Sequence, residues 1–175
     1  MTYQEDRNFA DNHFSAISHA IKSVAAKIIE VKVAPDQDDK ERATDYVITA
    51  DIGTIGCRIR RSGTRKSYKD MTIRYARASG AETEYSKIIK GYPRWYLYAW
   101  SDGNDAFEAW AFIDMDCFRK SGLLDDVSRR VKYNRDGRTS FVYYNMKELA
   151  SVGAIIGSGG VMCEYLSNQP TTIYL

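Results

Sequence analysis

The sequence predicts an α+β fold on three observations. One long helical pattern opens the chain, a run of short alternating segments follows from residue 45, and the remaining helical patterns are few and set apart from the strands. Hydrophobic residues make up 44% and charged residues 27% of 175 positions, which is ordinary globular usage and excludes a disordered, collagenous or disulfide-stapled chain. The length suits one domain over residues 1–175, large enough to bury a core of its own.

In order along the chain, residues 7–31 place Phe9, Ile17, Ile21, Val24 and Ile28 at helical spacing, with Asp6 as a candidate cap. His13 and His19 fall on this helix six residues apart, which does not set two imidazoles on one metal; they are expected to be surface or satisfied histidines. Residues 35–43 form a charged loop beginning at Pro35. Residues 45–50 and 55–61 are strands around a turn at Ile52-Gly53-Thr54, with Ile55, Cys57 and Ile59 on one face and Arg58 and Arg60 on the other. Residues 62–69 are a basic loop and 70–76 a third strand, and the short connections predict a three-strand antiparallel meander.

A helix over 81–90 carries Glu82 and Glu84 in its first turn and Lys87 and Lys90 in its last, with Gly91 as its stop. Residues 94–115 read as a hairpin turning at 101–105. A short helix near 116–122, a turn at Asn134–Gly137, a strand at 140–144 and a short helix within 146–156 follow. The stretch 153–161 matches neither glycine-rich phosphate motif and is expected to be a flexible loop or close-packed turn, ahead of an edge strand at the C-terminus. The expected architecture is a mixed β-sheet containing the meander, with the long N-terminal helix packed on one face.

The formal net charge of +2 is too balanced to imply a partner. Its distribution is uneven. Arg58, Arg60, Arg61, Arg65, Lys66, Lys69, Arg74 and Arg77 lie within twenty residues interrupted by one acid, Asp70, with Tyr68 and Tyr75 interleaved. Such a stripe attracts the phosphates of DNA or RNA, and arginine suits planar contacts to phosphate and base. A solvated sheet face with locally paired arginines is the other reading. The aromatics Tyr92, Trp95, Tyr96, Tyr98, Trp100, Trp110 and Phe112 split by alternation between two faces. Exposed, Tyr96, Tyr98 and Trp100 would stack bases or anchor a protein partner; covered by the N-terminal helix they are core, which is the expectation for large aromatics.

The acids Asp45 and Asp70 offer a second constellation. A hairpin closed at Ile52-Gly53-Thr54 sets Val47 opposite Ile59 and Asp45 opposite Arg61, and the following loop brings Asp70 to the same row. Asp45 and Asp70, with Glu82 or Glu84 as a third oxygen donor, could hold magnesium. Arg61 between two aspartates favours a cross-strand salt-bridge network instead.

The element order helix–strand–strand–strand–helix–strand over roughly residues 9–100, with Asp45 in T-D-Y-V-I, resembles the core of the PD-(D/E)XK nuclease superfamily. That resemblance implies a metal-dependent phosphodiesterase with Asp45, Asp70 and Glu84 as magnesium ligands and Arg60 in place of the family's lysine. The E-x-K position reads Arg58-Ile59-Arg60, and Arg58 repels a metal where the family has a carboxylate. The alternative is a non-catalytic protein that binds nucleic acid or inhibits a nucleic-acid-processing enzyme; a compact chain of this size suits an inhibitor carried by a mobile element. No G-x-S-x-G elbow is present. The polar, acidic N-terminus is unlike a secretory or transit signal, and Cys57, Cys117 and Cys163 lack metal spacing. They are expected to be reduced thiols in the cytoplasm.

Overall fold

A computed structural model describes residues 3–24, 31–35, 37, 46–48, 53–64 and 69–167. The fold is α+β, built from a mixed six-stranded sheet, a separate three-stranded antiparallel sheet and short helices.

The N-terminal helical pattern is two helices, α1 (Tyr3–Asn12) and α2 (Phe14–Val24), rather than one helix over 7–31; residues 25–30 lie outside the described residues. The break falls at His13, which is buried and bonded at both ring nitrogens: Nδ1 to the Phe9 carbonyl at 2.8 Å and Nε2 to Ser101 Oγ at 2.9 Å. A tertiary anchor therefore interrupts a pattern that helical periodicity alone would continue. The α2 helix buries Ile17, Ala20 and Ile21 at the expected i, i+3, i+4 spacing.

The six-stranded sheet comprises β1 (Val31–Val33), β2 (Tyr46–Ile48), β3 (Thr54–Arg60), β5 (Trp95–Ser101), β6 (Phe107–Asp114) and β9 (Ile155–Gly160), in the order β1-β2-β3-β5-β6-β9. Only β3 and β5 are parallel. Parallel neighbours need a crossover, and this one contains β4 (Asp70–Arg77) and α3 (Glu84–Ile89). The β4 strand leaves the first sheet and pairs with β8 (Thr139–Asn145), which pairs in turn with β7 (Val131–Tyr133).

The three-strand meander is thus corrected. β2 and β3 are antiparallel as expected, but β3 has β5 on its other edge, so no edge remains for β4. The register differs as well. Val47 lies opposite Thr54 and Tyr46 opposite Ile55, because Thr54 already belongs to β3 rather than to the turn. β2 therefore meets the start of β3, and Arg61 lies past the other end of that strand.

Two cores result. On one face of the large sheet, α2 covers Tyr46, Ile55, Leu97 and Phe112, with Cys57 and Ile59 packed beside them. On the other face, Tyr96, Tyr98, Trp100, Ala111 and Ile113 meet Met71, Ile73, Val142 and Tyr144 of the small sheet. Tyr96, Tyr98 and Trp100 are at most 2% exposed, so they are core and not the exposed aromatics a protein partner would need. The small sheet covers them, not the N-terminal helix.

The hairpin of β5 and β6 agrees with expectation. At its open end Arg94 grips Asp114 through both carboxylate oxygens, and Asp114 caps α4 (Met115–Lys120) by accepting from the Asp116 and Cys117 N–H groups. The helices α5 (Met146–Ser151) and α6 (Val161–Ser167) close the chain's described end. Between them the glycine-rich stretch is a strand, β9, not a loop. Its glycines permit close approach: a Cβ on Gly159 would sit 2.1 Å from Trp110 Nε1, and one on Gly157 would sit 2.6 Å from Val24. The predicted C-terminal edge strand lies outside the described residues.

Two outcomes follow from this packing. Gly159→Ala forces Trp110 to move and lowers unfolding free energy by roughly 1–3 kcal/mol, read as a reduced urea midpoint; Lys120→Ala, exposed on α4, stays within about 0.5 kcal/mol of wild type. Burial resists ionisation of Asp114, but the Arg94 bond and the Cys117 and Asp116 N–H groups outweigh it and hold the carboxyl below its ordinary value. The stabilisation is therefore complete above the unfolded value, about pH 4, and is lost as pH falls through the lower folded value. Urea unfolding from pH 6 to pH 3 shows that loss, and Asp114→Asn removes part of it.

Candidate nucleic-acid interface

The site begins at the seam between the sheets. Thr83 caps α3: its hydroxyl accepts from the Ser86 N–H and donates to the Tyr75 carbonyl at 3.0 Å, tying the helix start to β4. Glu84 is thereby aimed into the seam. One carboxylate oxygen accepts from Arg58 Nη2 at 2.5 Å and from the Arg74 backbone N–H at 3.1 Å; the other accepts from the Tyr96 hydroxyl. One strand step away, Tyr98 OH accepts from the Thr72 N–H and shares a hydrogen bond with Thr72 Oγ1, which also accepts from Arg60 Nη1 at 3.3 Å. The Thr72 and Arg74 N–H groups lie on the edge of β4 away from β8, so side chains satisfy an edge that no strand pairs.

The seam is partly desolvated: the Glu84 side chain is 13% exposed and that of Arg58 26%. Burial works against the Arg58 charge, but Glu84, with Tyr96 and Tyr98 beside it, more than offsets this and raises its pKa above arginine's ordinary value. Arg58 is thus a fixed cation that a carboxylate already neutralises.

Beyond the seam lies the face of the small sheet turned away from the core. Val142 and Tyr144 of β8 are buried, so Phe141 and Tyr143 take the other face by alternation, and both are half-buried. Their cross-strand partners share that face. Phe141 lies between Arg74 of β4 and Lys132 of β7 in one row; Tyr143 lies opposite Thr72, and Thr139 opposite Arg77. The Lys132 ammonium sits 4.5 Å from the Tyr143 ring centre. Where β8 ends, Asn145 donates to Asp70 Oδ1 and accepts from the Tyr165 hydroxyl, and the ammonium groups of Lys69 and Lys147 both approach the Tyr165 ring, at 4.8 and 4.9 Å. Across β8 an aromatic ring therefore lies between cations, and beyond its end a second ring has two ammonium groups beside it.

The sequence-expected residues separate as follows. Asp45, Arg65 and Lys66 lie outside the described residues. The Arg58 and Arg60 side chains reach the seam, where Arg74 contributes its backbone N–H; Lys69 and Arg77 lie toward either end of β4, and Arg61 turns away to cover the Phe9 ring at 4.5 Å. Glu82 pairs with Lys90 at 2.5 Å. The expected row of Asp45, Arg61 and Asp70 does not form around Arg61, since Asp70 lies opposite Asn145. Lys132, Phe141, Tyr143, Lys147 and Tyr165 were not singled out by sequence. The alternation in S-F-V-Y-Y is their signal, legible once it is known which face of that strand is buried.

Of the expected magnesium ligands, Asp70 and Glu84 are the two among the described residues, and they stay apart. Asp70 and Arg74, whose N–H holds Glu84, are four residues apart on β4, about 13 Å at roughly 3.3 Å per residue. Glu84 is committed to a guanidinium, a hydroxyl and an N–H, and no group of three His, Cys, Asp or Glu side chains gathers among the described residues. No helix among them is long and apolar enough to cross a membrane. No protein-family model and no curated protein matches the chain.

Glu84→Gln removes the charge that compensates Arg58 and lowers stability by about 2–4 kcal/mol, since an uncompensated half-buried guanidinium remains. Adding Arg58→Met to Glu84→Gln recovers part of that loss in a double-mutant cycle read by chemical denaturation.

Proposed function

We propose that the chain is a nucleic-acid-binding protein that acts without hydrolysis, docking phosphates along the basic face of its small sheet. The observation that carries this reading is the cross-strand row Arg74–Phe141–Lys132, flanked by Arg77 on one side and by Arg60, Lys69 and Lys147 on the other. Cations held on β4 and β7, the two strands that flank β8, release counterions from a polyanion together. Within the cross-strand pairs of this face the acid is Asp70, which already accepts from Asn145. Binding of this kind also suits a protein that blocks a nucleic-acid-processing enzyme by occupying its substrate.

Hydrolysis through the magnesium set of the nuclease resemblance would need Asp45 to meet Asp70 or Glu84. Glu84 closes the seam instead, and its proton-donating neighbours leave little room for a cation.

Fluorescence anisotropy with labelled oligonucleotides tests the reading. Affinity falls steeply with salt, and Lys132→Glu with Arg77→Glu lowers it by roughly tenfold or more while the logarithmic salt slope shallows by about 0.7–0.9 per contact removed. The oligonucleotide stays intact in magnesium. Binding that ignores both salt and the charge reversals would sink the proposal, and magnesium-dependent cleavage abolished by Glu84→Gln would replace it with the hydrolase reading.

A further inference from the structure

We propose that the ligand of this face is single-stranded nucleic acid, with successive bases stacked on Phe141 and Tyr143; the inference rests on the reading above and specifies its substrate. Phe141 and Tyr143 are i and i+2 on the central strand of the small sheet, roughly 7 Å apart along it. Both present their rings to the face that carries Arg74, Lys132 and Arg77. Among the described residues, the Phe141 ring stacks on no other ring and lies under no cation. Bases offer π-faces of matching size, and stacking on aromatics is tolerant of sequence.

The cations sit where a stacked strand needs them. Arg74 and Lys132 flank Phe141 from the two neighbouring strands, each roughly 4.8 Å away in the pairing direction, so a base on Phe141 leaves its phosphates beside them. Lys132 now lies over Tyr143. A base arriving on that ring displaces the ammonium from the π-face and offers it a phosphate instead. At the end of β8, Lys69 and Lys147 gather beside Tyr165 and extend the cationic track past Tyr143.

Duplex nucleic acid fits this surface poorly. Its base faces are closed within the stack, and its edges are read by a helix or a two-stranded ribbon that enters the major groove. The small sheet has three strands and is fused along its back to the large sheet, so it cannot enter a groove. An acidic protein segment would use the cations and leave the rings without a purpose.

The test compares a single-stranded DNA and an RNA oligomer of about twelve nucleotides with the duplex of the same sequence, by anisotropy on the full chain. Single strands bind at least tenfold tighter than duplex. Phe141→Ala weakens single-strand binding by roughly five- to a hundredfold. Phe141→Leu, which keeps an apolar side chain and removes the ring, does so as well, and Phe141→Trp retains binding with a new quenched fluorescence component. Circular dichroism and the thermal midpoint establish that each variant is folded; should Phe141→Leu not fold, Tyr143→Leu carries the same readout. Equal or tighter duplex binding, a folded Phe141→Leu that binds like wild type, or equal competition by polyglutamate overturns the inference. If Lys132→Glu with Arg77→Glu still abolishes binding while the ring variants do not, the stacking claim falls and the nucleic-acid reading stands. If no nucleic acid is retained in a salt-dependent way, both fall.

Discussion

The carboxylate of Glu84 is the constraint on which the arrangement turns. It lies where two sheets meet without a shared ladder, and it answers three donors from three elements: the Arg58 guanidinium of β3, the Tyr96 hydroxyl of β5 and the Arg74 N–H of β4. A strand edge facing another sheet would otherwise bury N–H groups without partners, each costing about 1–3 kcal/mol. Tyr98 does the same for Thr72. The small sheet therefore keeps a fixed angle to the large one although no strand bridges them, and its outer face is held in place as a surface.

This division of labour explains why the two faces of the small sheet differ. The inner face packs Met71, Ile73, Val142 and Tyr144 against the aromatic face of β5 and forms the larger core. The outer face inherits every second residue of the same strands, and those are Thr72, Arg74, Phe141, Tyr143 and Lys132. Alternation alone cannot make a half-buried aromatic functional, since surface aromatics are common. Here Phe141 lies between Arg74 and Lys132 of the neighbouring strands, and Tyr143 lies under the Lys132 ammonium.

The parts of this fold legible in the sequence are those decided by local pattern. The β5–β6 hairpin has two strongly alternating segments around a turn rich in Asp, Gly and Asn, and the α3 helix has its cap, its charge order and its Gly91 stop. What was not legible depends on partners distant in sequence. Alternation marks 70–76 as a strand but carries no information on whether it pairs with the strand before it or with one seventy residues later; the β3–β5 pairing takes the edge that a meander would have used. The break at His13 depends on Ser101, eighty-eight residues away. The glycines of β9 pointed to tight packing, and tight packing is present, but against Trp110 across a strand pair rather than within a turn. The candidate site was half legible for the same reason: the basic run stands out in one dimension, while Phe141 and Tyr143 join it only through the pairing of β8 with β4, and Lys132 through that of β7 with β8.

Counting charges along the chain overstates one part of the stripe and misses another. Arg58 spends its charge on Glu84, and Arg61 spends its reach on Phe9, so neither is simply available to a polyanion. Lys132 on β7 and Lys147 on α5, which are distant in sequence, restore the positive character on the far side and at the end of β8. A protein with a formal net charge of only +2 can still present a local cationic surface, because the opposing acids are consumed elsewhere: Asp114 by Arg94, Glu148 by Arg130 and Glu82 by Lys90. Screening over about 8 Å at physiological salt then makes the local arrangement, not the total, the field that an approaching phosphate meets.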